Sequence, residues 1–185
     1  MEDSHAILRA AEDILHRLRE HQVDAIVIGA VALAAHRYMR QTEDHDLGVI
    51  ADVRKLRELT AKLREAGYQA ELREPDAEDP LGGVIDVEGD FGLVQIISYA
   101  GKFPAVIEDA LREAHMTARP GSSLKLVPLP HLIALKLYAG GTKSKADVLE
   151  LIVRNPELDL EGVRELCRGY RLGGLDELIA EARSI

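Results

Sequence analysis

The sequence has few features that would place the chain outside the cell or in a membrane. Its 185 residues include one cysteine, Cys167, so an internal disulfide is excluded and a reducing compartment is favoured. No apolar run approaches the roughly 18 residues that a transmembrane helix requires. Residues 1–20 are charged and amphipathic, unlike a signal peptide. We therefore predict a cytoplasmic protein that contacts no membrane.

Basic residues are also scarce. There are 23 Lys and Arg against 32 Asp and Glu, which gives a net charge of −9. Residues 71–90 carry eight acids, with Arg73 as their only base. Nonspecific binding of nucleic acid depends on a basic surface, and this composition does not support one.

Hydrophobic periodicity predicts an α/β fold, in which a mixed β-sheet core is flanked by helices and followed by an α-helical C-terminal region. Apolar stripes or alanine-rich composition predict core helices over residues 3–20, 31–37, 53–63 and 104–114. Short apolar runs predict strands over residues 25–28, 47–50, 68–72, 84–87, 92–97 and 124–127. Only helices follow, over residues 132–139, 146–153, 160–170 and 175–182. We expect an α/β core at residues 1–127, with the helical region 128–185 packed on it.

A glycine and a pair of acids indicate the chemistry. Gly29 ends the first apolar strand and is followed by the start of a small-residue helix, where free amides and the helix dipole attract phosphate. Asp44 and Asp46 are two residues apart at the head of the next strand, so they point to the same face. Two such carboxylates are unfavourable unless a cation lies between them, and Mg²⁺ is the natural candidate. Together these features indicate nucleotide chemistry.

Two segments resemble the nucleotidyltransferase (DNA polymerase β-like) superfamily. The resemblance is to its small bacterial members, the minimal nucleotidyltransferases and the nucleotidyltransferase toxins of abortive-infection type. In the first segment, an apolar strand and Gly29 are followed by R-x-T-x-D-x-D, residues 40–46. In the second, PHLIALKLYA at residues 130–139 and KADV at residues 145–148 are similar to two helices of the family. The resemblance spans residues 25–152.

The resemblance implies an enzyme that binds an NTP and Mg²⁺ and transfers a nucleoside monophosphate to a hydroxyl of RNA, a protein or a small molecule. It assigns catalysis to Asp44 and Asp46, and metal binding to Asp44, Asp46 and the residue at position 95. It assigns nucleotide binding to Gly29, Ala30, Arg40, Thr42 and Lys136. Lys136 would approach the triphosphate, and Asp147 would support the local fold. The expected protein partner is an antitoxin or a second copy of the chain.

Two positions depart from the family pattern. Ala30 stands where the family has a glycine or serine, which removes a hydroxyl contact to phosphate but keeps the backbone approach. Gln95 stands where the family has its third metal carboxylate, and an amide offers one neutral oxygen but cannot act as a base. Asp86, on the neighbouring predicted strand, is the alternative third acid if the strand register differs.

Other interpretations of the same residues stay open. Gly29 is then an ordinary turn glycine, and Asp44 and Asp46 are solvated loop acids. Lys136 then extends along an apolar helix to solvent, and Arg40 pairs with a surface acid. At the level of function, the alternative is a nucleotidyltransferase-like protein that has lost its chemistry and keeps a binding or regulatory role, for example in a toxin–antitoxin pair. A third hypothesis is an interaction module with a vestigial cleft.

Overall fold

The computed structural model describes residues 2–39, 44–76 and 78–184, without the side chains of residues 2–4 and 44. These residues form eight helices and five strands. The helices are α1 (Glu2–Glu20), α2 (Ala30–Ala35), α3 (Val53–Glu65), α4 (Pro104–Glu113), α5 (Leu129–Ala139), α6 (Gly141–Arg154), α7 (Leu160–Gly169) and α8 (Leu175–Ala182). The strands are β1 (Ala25–Val27), β2 (Asp44–Val49), β3 (Gln69–Arg73), β4 (Val84–Gly89) and β5 (Gly92–Ser98).

The five strands form one mixed sheet in the order β1-β2-β5-β4-β3. Strand β5 pairs parallel with β2, whereas the other three pairings are antiparallel. The parallel pair is joined by a long crossover that contains α3, β3 and β4, as a parallel connection requires. This arrangement places β2 and β5, the strands that carry Asp46 and Gln95, side by side in the sheet.

Each face of the sheet has its own hydrophobic cluster. Helices α1 and α3 cover one face, where Ile14 and Leu59 pack with Leu47 and Ile96. On the other side, β1 and α2 pack with α4 to α8, as shown by the shared cluster of Ile26, Ile107, Leu132, Leu151 and Ile179. The side chains that alternate with Leu47 and Ile96 on β2 and β5 include Asp46 and Gln95, so these two residues lie on the second face.

The predicted α/β fold with a mixed sheet, flanking helices and a helical C-terminal region is confirmed. Strand β2 begins earlier than predicted, at Asp44, because its pairing with β5 extends from Asp44 to Val49. Helix α6 also begins earlier, directly after Gly140, whose φ of +63° is a conformation that favours glycine. Residues 141–145 are polar or small, so no apolar stripe marks this first part of the helix.

The strand predicted over residues 124–127 is wrong in extent. This segment instead makes two isolated bridges, a parallel one between Leu126 and Val27 and an antiparallel one between Lys125 and Thr117. Two backbone hydrogen bonds hold it beside β1, from Val27 N to Lys125 O and from Val127 N to Val27 O. Its apolar residues are buried as a strand's would be, but the pairing is too short to form one.

Helices before and after residue 128 share one hydrophobic cluster, in which Ile107 of α4 and Leu132 of α5 are both fully buried. The division into a core at residues 1–127 and a helical region at residues 128–185 stays a prediction. Across the described ranges, none of the helices has the length and apolar character needed to cross a bilayer.

Candidate functional site

The carboxylate of Asp46 lies directly against Gly29. The Ile28 amide donates a 3.0 Å hydrogen bond to the Asp46 carbonyl oxygen, which fixes the end of β1 against β2. A Cβ on Gly29 would overlap the Asp46 carboxylate and lie only 2.7 Å from its Cγ. The φ of Gly29 is −90°, a value open to any residue, so the close approach and not the backbone conformation requires glycine.

This contact places a carboxylate beside the start of a helix. Gly29 is the N-cap of α2, which begins at Ala30. The first amides of a helix have no intrahelical acceptor and carry partial positive charge, so a negative group is favoured there. The glycine and one acid of the predicted motif are therefore brought together.

Gln95 lies beside Asp46 in the sheet. The register of β2 and β5 pairs Asp46 with Gln95, and the register of β5 and β4 pairs Gln95 with Asp86. Because directly paired residues point to the same face, the three side chains form a row across three strands. Position 95 is thus the direct neighbour of Asp46 on the adjacent strand.

Asp86 is already engaged by two side chains. Gln95 Nε2 donates a 2.6 Å hydrogen bond to Asp86 Oδ1. Arg73 donates two hydrogen bonds to the same carboxylate, from Nε to Oδ2 at 2.7 Å and from Nη2 to Oδ1 at 3.0 Å. Burial acts to raise the pKa of Asp86, but the hydrogen bonds from Arg73 and Gln95 outweigh it and hold the pKa below its usual value. Asp86 is therefore ionised, neutralised by Arg73, and one strand farther from Asp46 than Gln95 is.

Three of the predicted site residues are not fully placed. Asp44 is the first residue of β2, where its backbone pairs with Leu93. Its side chain is not among the parts of the chain that the structure describes. Arg40 and Thr42 lie outside the described residues altogether.

Lys136 is held by a buried acid. Its Nζ lies 2.8 Å from Asp147 Oδ2, with 18% of the Lys136 side chain and 2% of the Asp147 side chain exposed. This ion pair joins α5 to α6. Lys136 is consequently anchored in one orientation, and the alternative of a lysine that extends freely into solvent is wrong.

Tyr99 is a buried residue near Asp46 that the sequence did not single out. It directly follows β5 and is 7% exposed. Burial raises its pKa, and the negative charge of Asp46 raises it further, with a smaller contribution from Tyr138. Tyr138, near the end of α5, packs against Phe103 at 4.7 Å between ring centroids and donates a 2.7 Å hydrogen bond to the Pro80 carbonyl oxygen. The contact of Phe103 with Tyr138 therefore joins the segment after β5 to α5.

The sequence did contain a signal for Arg73, which was likewise not assigned to the site. It is the only base among the eight acids of residues 71–90, a composition that favours an ion pair with one of them. Tyr99 has no such signal, because a tyrosine after a strand is equally typical of an ordinary core.

The donor set suits a hard cation, but a weakly held one. Across the described part of the chain, no group of three or more His, Cys, Asp or Glu is arranged to hold a metal ion. Asp46 contributes a charged oxygen, and Gln95, whose Nε2 is directed to Asp86, keeps a neutral amide oxygen as its acceptor. One charged and one neutral oxygen are donors of the kind that a hard cation such as Mg²⁺ prefers.

No family model matches the chain, and no curated protein matches its sequence. Solved structures do match it. An antigenic nucleotidyltransferase-like protein from Paracoccidioides brasiliensis superposes with a TM-score of 0.51 at 19% identity, over 83% of this chain and 77% of that one. The antibiotic-resistance factor ANT(2'')-Ia in solution gives a TM-score of 0.51 at 19% identity, over 92% and 93% of the two chains.

A crystal structure of ANT(2'')-Ia with adenylyl-2''-tobramycin gives a TM-score of 0.53 at 17% identity, over 89% of this chain and 96% of that one. Likeness at these identities establishes the fold alone. The chain therefore shares the fold of these structures, the first of which is a nucleotidyltransferase-like protein.

Proposed function

We propose that this protein binds a nucleoside triphosphate together with Mg²⁺ on the sheet face that carries Asp46. The observation that carries the proposal is the contact of Asp46 with Gly29 at the start of α2, with Gln95 in register beside it. The proposed metal ligands are Asp44, Asp46 and Gln95. The proposed phosphate contacts are Gly29, Ala30, Arg40, Thr42 and Lys136.

Bound Mg²⁺ would neutralise triphosphate charge and lower the pKa of an acceptor hydroxyl. The chain's own residues would supply orientation and further positive charge. Lys136, anchored by Asp147 and 18% exposed, would bind the phosphates as a preplaced cation, at a small cost in side-chain entropy.

We propose that this protein binds nucleotides but transfers them only slowly. Transfer would join an acceptor hydroxyl oxygen to the α-phosphorus and release pyrophosphate, and the hydroxyl proton needs a base. Gln95 cannot take that proton, and Asp86 is neutralised by Arg73 and bound to Gln95. Slow transfer to a hydroxyl of RNA, a protein or a small molecule follows from this arrangement.

The same hydrogen bonds favour a second candidate function. Gln95 donates its amide hydrogen to Asp86 and is not available as a base, which suits a protein that binds a nucleotide without transferring it. In that case the chain would be a binding or regulatory component, for instance of a toxin–antitoxin pair, with an antitoxin or a second copy as its partner.

Binding is tested by calorimetric titration of the protein with each of the four NTPs in the presence of Mg²⁺. The wild type should bind at least one NTP, and Asp46→Asn should lose most of that affinity. Asp90→Asn is the matched control, because Asp90 is an exposed acid of the β4–β5 turn and away from Asp46 in the sheet. Equal NTP affinity in wild type and Asp46→Asn would overturn the proposed site.

Transfer is tested separately, by mass spectrometry of acceptors incubated with NTP and Mg²⁺. The acceptors are tRNA, cell protein and tobramycin, which is included because a structural neighbour contains adenylyl-2''-tobramycin. A labelled acceptor that requires Asp46 supports the transferase. Binding without any labelled acceptor supports the regulatory candidate instead.

A further inference from the structure

A cavity of 430 Å³ lies between the first turn of α5, the loop from α6 to α7, and α7 itself. Its volume is within the usual range of small-molecule sites. Most of its wall is apolar, built from Leu129, Pro130, Leu158, Val163 and Leu166. An apolar wall of this kind accommodates the hydrocarbon body of a small molecule.

His131 lines this cavity and is 1% exposed. Neither of its ring nitrogens has a hydrogen-bond partner among the protein groups that the structure describes. Burial lowers the pKa of His131, against the opposing charges of Glu113 and Asp109, so the ring is neutral near pH 7. A neutral ring has one donor and one acceptor nitrogen, and burying both without partners is unfavourable.

Glu113 supplies a negative charge next to this ring. Its Oε2 lies 3.8 Å from His131 Nε2, too far for a hydrogen bond. The other acids of the cavity already have partners: Glu157 pairs with Arg37 at 2.8 Å, and Asp159 accepts from the Gly162 amide. The cation near Glu113 is Arg112, at 3.7 Å, and it is held by Asp109.

We propose that this cavity binds a small organic amine. Its ammonium group would donate to both the Glu113 carboxylate and the acceptor nitrogen of His131, and its apolar body would lie among the leucine and valine side chains. The site is distinct from the proposed nucleotide site, because His131 and Lys136 are five residues apart on α5 and project about 140° apart around the helix. The proposal does not depend on nucleotide binding.

The test is a calorimetric titration with phenethylamine, compared with 2-phenylethanol, which has a similar body and no charge. The wild type should bind phenethylamine about tenfold more tightly than the alcohol, since a charged hydrogen bond is replaced by a neutral one. Glu113→Gln should abolish that difference. Glu108→Gln, an exposed acid on the same helix that does not line the cavity, should keep it.

His131→Phe, which keeps a ring of similar size, should also weaken phenethylamine binding about tenfold. If this variant fails to fold, Glu113→Gln alone decides, because the Glu113 side chain is half exposed. Asp46→Asn should leave the affinity unchanged, and a loss there would mean that the amine binds at the sheet face instead. Equal affinities for the two compounds, or no binding of either, would overturn the proposal.

Discussion

Among individual residues, Gly29 and Asp46 depend on each other most directly. The strand-to-helix turn does not need glycine for its φ, but the Asp46 carboxylate occupies the space that a side chain would take. The sequence pattern assigns Gly29 to phosphate binding. The structure adds that it first makes room for an acid of the same chain.

Gly29→Ala should therefore displace Asp46. We expect a loss of about 1–3 kcal/mol in the free energy of unfolding from the overlap, and a loss of Mg²⁺ and NTP binding measured by calorimetry. Gly169→Ala is the matched control, because its Cβ would meet open space and its φ is not positive. It should leave binding unchanged and alter stability by less than about 1 kcal/mol. Unimpaired metal binding in Gly29→Ala would contradict this account.

The bonds of Asp86 to Arg73 and Gln95 should make stability acid-dependent. The folded pKa of Asp86 lies below its unfolded value, so its contribution is present above the unfolded pKa, about 3.9, and is lost as pH falls through the folded pKa. We expect Asp86→Asn to cost about 1 kcal/mol at pH 7, since Arg73 is more than half exposed, and less as pH falls below about 4.

Urea unfolding of wild type and Asp86→Asn at several pH values measures that difference. Glu88→Gln, on the same strand and exposed, should track the wild type throughout. A cost for Asp86→Asn that is the same at pH 7 and pH 3 would contradict the assigned role.

Among elements, the ion pair between α5 and α6 decides the position of Lys136. A charged pair with one partner almost fully buried is costly to break from one side, because the remaining charge stays out of water. Lys136→Ala should lower the free energy of unfolding by about 3 kcal/mol. Lys143→Ala removes an exposed lysine of α6 and should change it by less than about 0.5 kcal/mol.

Denaturant unfolding of both lysine variants separates the two results. Adding Asp147→Asn to Lys136→Ala should recover part of the lost stability, because it removes the buried negative charge that Lys136 balances in the wild type. If Lys136→Ala behaved like Lys143→Ala, the lysine would be a surface group without a fixed position.

Most element positions follow from periodicity, and the exceptions have identifiable causes. The spacing of Ile7, Ala11, Ile14 and Leu18 predicts α1, because these four residues form the buried side of the helix. The early start of α6 was not visible because its first turn faces solvent and carries no apolar residue. The strand at residues 124–127 was overpredicted because burial alone produces an apolar run, whereas a strand also needs a partner of sufficient length.

In the molecule as a whole, two buried histidines couple stability to pH. Burial lowers the pKa of His36, whose Nε2 lies 2.8 Å from the Val127 carbonyl oxygen, and of His131. A lowered folded pKa means that the unfolded chain binds protons first as pH falls below about 6.5. Stability should therefore decrease from pH 7 to pH 5, by at most about 1.4 kcal/mol per pH unit for each histidine.

His131→Phe removes one of these two groups. It should lose less stability between pH 7 and pH 5 than the wild type does, in urea unfolding followed by circular dichroism. An equal or larger loss in the variant would show that His131 is protonated in the folded protein.

The sequence predicted the strands that bear the site but not the contacts between their side chains. The row of Asp46, Gln95 and Asp86 depends on a register across three strands, and β2 and β5 are nearly fifty residues apart in the chain. Arg73, which neutralises Asp86, enters from a fourth strand. Such long-range pairings are set by packing of the whole sheet. Local sequence patterns therefore identify Gln95 and Asp86 as candidates for the third metal ligand, but they do not show which of the two lies beside Asp46.

That choice is tested most directly by calorimetric titration of Mg²⁺ into Gln95→Asp/Asp86→Asn. The pair of changes moves one carboxylate from position 86 to position 95 and keeps the net charge, and it leaves no acid at position 86 beside the new one. We predict Mg²⁺ binding about tenfold tighter than in the wild type, since a charged oxygen replaces a neutral one on a hard cation. Asp90→Asn should match the wild type. Binding no tighter than in the wild type would contradict the assignment of position 95 to the metal site, and with it the proposed site on this face.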